Sequence, residues 1–275
     1  MDEKSQDANT NEAAEQGGEG AGSFLRFVLL VALGALAFRS FAFSMFNIPS
    51  ESMLPGLMNG DYLVASKWPY GYTKNSLPFD LPLIPGRWFA DAPERGDIVI
   101  FKHPIDGTDY VKRAIALPGD VIELRDGRVI LDGEPLPRRK IDDVAIPVSA
   151  NTRCAWGARS DRDADGRAVC RYTAYREMLP GGRAYLTLDF GSLPQDDYGP
   201  VAVPDGTVFV MGDNRDNSQD SRFPPEPGGG VGFVPQALLV GRAERIVFST
   251  DGGARWADPR TWFTSTRWQR IGEGL

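Results

Sequence analysis

From residue 24 to residue 46 the chain is almost wholly apolar, with charge only at Arg26 and Arg39. As a helix rising about 1.5 Å per residue it would extend roughly 34 Å, enough to cross a hydrocarbon layer of roughly 30 Å. Such a segment decides the architecture, because everything after residue 46 must then lie on one side of a bilayer. Arg39 interrupts the run about two turns from its far end, where a guanidinium can snorkel outward. Two other readings fit the same residues: a buried helix of a soluble domain, and a cleaved secretion leader with the small-x-small pattern Ala42-Phe43-Ser44. A leader starts with basic residues, whereas this chain starts acidic. The segment is therefore read as a single retained transmembrane anchor over residues 24–46. Arg26 alone flanks it on the N-terminal side, a weak signal for orientation.

Residues 1–23 hold six acidic side chains and one lysine, so −5 of the formal charge of −7 sits there and −2 is left for the remainder. That segment is expected to be a disordered acidic tail. The rest is long enough for one large or two modest domains. An acidic balance argues against nucleic acid as a partner. The single histidine, His103, excludes a multi-histidine site, and two cysteines cannot build a Cys₄ zinc site, so no metal or other cofactor is expected.

Beyond the anchor the pattern turns to short β-rich runs. The stretches 96–101, 207–211 and 245–248 read as strands, and Asp126-Gly127 and Asp132-Gly133 bracket Arg128-Val129-Ile130-Leu131 as hairpin turns. Prolines and aromatics over 67–95 suggest an extended loop or ribbon. The expected fold is mainly β: a single transmembrane helix, then a larger β-sheet domain over 47–120 and 204–275, with a smaller β subdomain inserted at 121–203. Residues 235–240 are expected to hold a turn of helix.

Three segments carry chemistry. In Ile48-Pro49-Ser50-Glu51-Ser52-Met53-Leu54-Pro55 two prolines stiffen the backbone around two serines. If the stretch is extended, Ser50 and Ser52 share a face. A hydroxyl fixed this way can be a nucleophile once a base removes its proton, and it can equally be a plain turn. His103, just past a strand end, reads as a surface loop residue. In 109–117, strand alternation puts Tyr110, Lys112, Ala114 and Ala116 on one face and Val111, Arg113, Ile115 and Leu117 on the other. A lysine among such neighbours loses solvation, its pKa falls by about three units, and it can serve as a general base. At a sheet edge with its head in water it would remain an ordinary ammonium. The third segment, 211–222, is dense in Asp, Asn, Ser and Arg. It lacks the sixth-position glycine and twelfth-position glutamate of an EF-hand, which leaves a self-satisfied loop propping a neighbouring site or a solvated turn.

Taken in order behind an anchor, these segments resemble type I signal peptidases (leader peptidases). The nucleophile box resembles 48–55, the next two boxes resemble Arg95-Gly96-Asp97-Ile98-Val99 and Tyr110-Val111-Lys112-Arg113-Ala114, and the last resembles Gly212 to Ser218 with Asp220-Ser221-Arg222. Val240-Gly241-Arg242-Ala243 is a weaker match. The resemblance covers roughly residues 24–120 and 203–249.

The resemblance implies a membrane-bound serine endopeptidase that removes signal peptides after small-x-small (Ala-x-Ala) sites. Ser52 would be the nucleophile and Lys112 the general base. The Ser50 hydroxyl and the Ser52 N–H would form the oxyanion hole. Ser218 would hydrogen-bond the Lys112 amine, with Asp220 and Arg222 bracing its loop. Phe46, Ile48, Pro49, Met53, Leu57, Tyr110 and Val111 would line the pockets for small side chains. Glu51 stands where glycine is common and is expected to face away from the two serines. The implied partners are signal peptides of preproteins and the lipid bilayer, for a monomer in a bacterial inner membrane with its catalytic domain on the periplasmic side. In that oxidising space a disulfide between Cys154 and Cys170 is expected. The aromatics Trp256, Trp262, Phe263 and Trp268 would rest in the membrane interface or pack in the core. Two alternatives remain on the same fold: a pilin-maturation type of peptidase, and a non-catalytic anchored domain that binds secreted chains.

Overall fold

The computed structural model describes residues 22–36, 39–77, 81 and 83–275. The expected acidic tail lies outside them up to residue 21. An apolar helix, α1, runs over Gly22–Phe41, 20 residues with a mean hydropathy of 1.9. Its described residues are mostly exposed, so the rest of the protein leaves its apolar surface uncovered. The expected anchor ran to residue 46, and the structure ends it five residues sooner. Phe43–Asn47 is strand β1, paired antiparallel with β2 (Asp61–Ser66). Aromatic packing accounts for the change. Phe43 meets Trp68 edge-on at 4.8 Å, Phe41 meets Tyr72 at 5.4 Å, and the Tyr72 hydroxyl donates to the Phe41 carbonyl.

Further along come β3 (Ile98–Lys102), β4 (Asp109–Ala116), β5 (Val121–Arg125), β6 (Arg128–Leu131), β7 (Glu134–Pro135), β8 (Arg138–Lys140) and β9 (Val144–Pro147). After them lie β10 (Arg159–Arg162), β11 (Ala168–Tyr172), β12 (Ala174–Met178), β13 (Ala184–Leu188), β14 (Tyr198–Ala202), β15 (Thr207–Met211), β16 (Val234–Pro235) and β17 (Leu239–Ser249). The principal sheet has seven strands in the order β1-β2-β17-β3-β4-β15-β16. Three smaller sheets, β14-β5-β6-β7, β13-β12-β8 and β10-β11-β9, are built from the residues expected to form an inserted subdomain.

Local chemistry accounts for the joints. At both Asp-Gly dipeptides the two residues have positive φ, 48° and 71° at Asp126-Gly127 and 52° and 84° at Asp132-Gly133, the backbone a two-residue hairpin needs. In β17, a Cβ on Gly241 would fall 2.5 Å from the Ser66 carbonyl oxygen, so only glycine lets β17 cross close to β2. The described residues within 67–95 form a loop with short 3₁₀ turns at Trp68–Tyr70 and Lys74–Ser76, and a further 3₁₀ turn spans Gln236–Leu238.

The inserted segment is not walled off from the principal sheet. Ile115, Ala116, Phe209 and Met211 of β4 and β15 share one core with Ile122, Leu124, Val129 and Leu131 of β5 and β6. A second shared core joins Leu54 and Met58, just past Ser52, to Ile146, Cys170, Tyr172 and Leu188. Each such side chain removed from water contributes about 1.5–3 kcal/mol, so the inserted strands are coupled energetically to the serine segment. Cys154 and Cys170 are disulfide-bonded. Near the C-terminus Trp256, Trp262, Phe263 and Trp268 are all exposed, and the chain puts two of them on the short helix α2 (Arg260–Thr264). Core packing of these rings is thereby corrected. They contact one another instead, Trp256 against Trp262 and Phe263 against Trp268.

Candidate active site

Strand β4 carries Lys112 opposite Val99 of β3. Alternation along β4 sends the next residue, Arg113, the other way, into the carboxylate of Asp213. Lys112 is 3% exposed, and its Nζ donates to Ser52 Oγ at 2.6 Å. Burial pushes the lysine pKa down to about 8, opposed by the negative charges of Asp220 and Asp213 and assisted by Arg222. Of the two positions that strand alternation left open, the desolvated one and not the watery sheet edge is the one observed.

Ser52 sits in a turn, the second of the two conformations that the sequence leaves open for residues 50–52. The amide of Leu54 bonds back to the Glu51 carbonyl, and that of Leu57 to the Met53 carbonyl. The two hydroxyls still meet, with Ser50 Oγ 3.3 Å from Ser52 Oγ. Asn214 clamps this turn from the polar loop: its backbone N–H donates to the Ser52 carbonyl and its side-chain amide to the Glu51 carbonyl, both at 3.0 Å. Sequence reasoning singled out the loop as a prop but not Asn214. A lone Asn beyond a strand carries no signal of its own.

Asp220 is fully buried. It accepts the Gly212 N–H at 3.0 Å and a two-pronged pair from Arg222 at 2.9 Å each. These bonds and the charges of Arg222 and Lys112 hold its pKa below the usual carboxylate range, against the upward push of burial. Ser218 departs from expectation. Its hydroxyl is buried and forms no hydrogen bond, to Lys112 or otherwise. The oxygen is tucked against Gly212, where a Cβ would lie only 2.3 Å away.

A groove of about 400 Å³ opens beside Ser52 and Lys112. Phe46, Ile48, Pro49, Met53, Tyr110 and Val111 line it, as do Ser50, Asn217 and Gln219. Leu57 does not. It is fully buried beneath, packed with Ile48, Met53 and Leu63, because the turn at residues 53–57 carries it into the core. Glu51, expected to face away, also lines the groove. Its half-buried carboxyl has its pKa raised by burial and pulled back by the Arg153 backbone N–H. His103, expected on the surface, is 1% exposed.

Comparison with known proteins bears on what this arrangement is for. The family model described as signal peptidase, peptidase S26, matches residues 21–248. The chain is 32% identical to a signal peptidase I of Rickettsia typhi, over 97% of this chain and 96% of that protein. It is 33% identical to that of Rickettsia massiliae, over 98% and 96%. A solved signal peptidase I from Enterococcus faecalis is 26% identical, covering 55% of this chain and 97% of that one with a TM-score of 0.29. Across nearly its whole length this chain belongs to the signal peptidase family, peptidase S26, and is a serine endopeptidase of that family.

Proposed function

We propose that the protein removes signal peptides from exported preproteins, with Ser52 as nucleophile and neutral Lys112 as general base. The observation that carries the reading is the 2.6 Å contact between a desolvated lysine and a serine hydroxyl at the edge of a groove. With the amine neutral the bond runs the other way, and the hydroxyl donates to the nitrogen lone pair. Ser52 Oγ then attacks the scissile carbonyl as its proton passes to Lys112. The ammonium returns that proton to the departing amine, and water, deprotonated by the same lysine, releases the acyl chain. The Ser50 hydroxyl and the Ser52 N–H would receive the developing oxyanion. Shallow apolar walls at Phe46, Ile48, Met53 and Val111 favour small side chains ahead of the scissile bond, as in Ala-x-Ala. Asp220 and Arg222 act by holding the loop behind the lysine.

Helix α1 is read as the anchor in a bacterial inner membrane, with the β domain on the periplasmic side and Ser52 eleven residues beyond the end of the helix at Phe41. The exposed rings at 256, 262, 263 and 268 suit the interfacial layer, where such side chains are favoured. The test is cleavage of an Ala-x-Ala preprotein by detergent-solubilised full-length protein, beside Ser52→Ala and Lys112→Met. Cleavage surviving either substitution removes the dyad. Full-length protein recovered in the soluble fraction without detergent removes the anchor.

A further inference from the structure

The lone histidine lies outside the serine–lysine pair, yet the structure wires it to the groove. His103 follows β3, and its ring is buried 4.8 Å from the Tyr110 ring. The backbone N–H groups of Ile105 and Asp106 point at Nδ1 at 3.2 and 3.4 Å. Asp106 Oδ1 also lies 3.4 Å from Nδ1, so the proton on Nε2 is assigned from the partner of Nε2, a backbone carbonyl that can only accept. Nε2 donates to the carbonyl of Gly230 at 3.1 Å. The same turn holds the two preceding glycines as well. Gly228 N–H donates to Asp106 Oδ2 at 2.8 Å, and the Tyr110 hydroxyl reaches the Gly229 carbonyl at 3.4 Å. Gly228 and Tyr110 both line the groove beside Ser52.

Three consecutive glycines have the most backbone freedom to lose on ordering. Gly230 has to be one of them, because a Cβ there would fall 2.4 Å from Phe223 Cβ and 2.5 Å from the Pro224 carbonyl oxygen. The turn has its own internal bonds, Glu226 N–H to the Gly230 carbonyl and Gly229 N–H to the Glu226 carbonyl. These internal bonds do not involve His103, and what the histidine adds, beside the ties from Asp106 and Tyr110, is a hold on Gly230. We infer that His103 is a positioning residue for substrate capture. Through the Tyr110 ring and the Gly230 carbonyl, it holds the 228–230 strap, whose Gly228 forms part of the groove wall against which the preprotein segment ahead of the scissile bond lies. The inference rests on the proposed reading of the groove.

Two substitutions separate this role from a plain turn cap. In His103→Asn the side-chain oxygen can still accept the Ile105 N–H but nothing reaches Gly230. In His103→Gln the terminal amide can donate where Nε2 stood. The full-length protein in detergent is assayed on an Ala-x-Ala preprotein. On a Ser52→Ala background, the Kd for a peptide spanning that cleavage site is read without turnover. His103→Asn is expected to raise KM and Kd roughly threefold to tenfold, the equivalent of one net hydrogen bond, with kcat within about twofold. His103→Gln is expected to stay within about twofold of the parent in both. Equal behaviour of the two variants, or a fall in kcat at unchanged KM, overturns the inference. If the parent chain binds the peptide but does not cleave the preprotein, the proposed reaction fails while the Kd comparison still decides the role of His103. If the parent does not bind the peptide, the inference falls with it.

Discussion

Arg113 and Asp213 form a two-pronged ion pair at 2.8 and 2.7 Å on the opposite face of β4 from Lys112. Both are buried, and the guanidinium also donates to the Gly96 carbonyl and lies 4.5 Å from the Tyr185 ring. Asp213 directly precedes Asn214, the residue that clamps the serine turn. Removing one partner strands a buried charge, which costs about 3–5 kcal/mol. Asp213→Ala should lower the unfolding free energy measured in urea by that amount. Arg113→Met with Asp213→Leu should recover most of it, because the pair is then replaced by apolar surface. If the single substitution costs under about 1 kcal/mol, the pair is not what holds the two segments together.

The dyad reading has a defined pH signature. Burial lowers the Lys112 pKa from its ordinary 10.5 to about 8. The amine is active when neutral, so kcat/KM for the preprotein should fall about tenfold per unit below pH 8 and level off above it. The sign for stability is the same. Between about 8 and 10.5 the unfolded lysine binds more protons than the folded one, so this group's contribution to stability rises with pH across that window. An unshifted limb that is still climbing at pH 10 would mean the ammonium is not desolvated in the working enzyme.

The nearness of Ser52 and Lys112 is legible only through the resemblance to type I signal peptidases, since the local patterns shape each segment without saying what it packs against. Two prolines stiffen one segment, and a period of two orients the other. The Asp-Gly hairpins are legible directly, because their signal is local. The helix end at Phe41 is not, since Phe43, Met45 and Phe46 suit a membrane helix and an aromatic-packed edge strand equally well. Which one forms depends on Trp68 and Ser66, more than 20 residues away. Leu57 looks like any groove-lining leucine until the turn at 53–57 rotates it inward. The burial of His103 depends on Gly230, 127 positions later, and no local pattern carries that.

At Gly212 the loop packs against the serine with no room for a side chain. A Cβ there would lie 2.3 Å from Ser218 Oγ and 2.5 Å from the Ser52 carbonyl oxygen. Backbone has to give way, and the carbonyl in question belongs to the nucleophile. Displacing a reacting atom by about 1 Å costs on the order of a hundredfold in rate. Gly212→Ala should therefore drop kcat about a hundredfold, with circular dichroism showing an intact β signal. Adding Ser218→Gly removes two of the three close atoms and should recover part of the rate. A single variant with the parent's kcat would show that the loop has slack at this point.

The disulfide between Cys154 and Cys170 closes a loop with a sequence separation of 16. Cross-linking a loop of about this size restricts the unfolded chain by about 3 kcal/mol. Cys170 packs in the core that also holds Leu54 and Met58, immediately beyond Ser52. Two consequences can be told apart with the Cys154→Ala/Cys170→Ala double variant. Stability in urea should fall by about 3 kcal/mol, plus a smaller share for the lost sulfur packing. The turnover rate at 25 °C should stay within about threefold, since the serine turn keeps its Asn214 clamp. A large rate loss at 25 °C with little change in the urea midpoint would mean the inserted strands hold the serine in place directly, rather than steadying the fold around it.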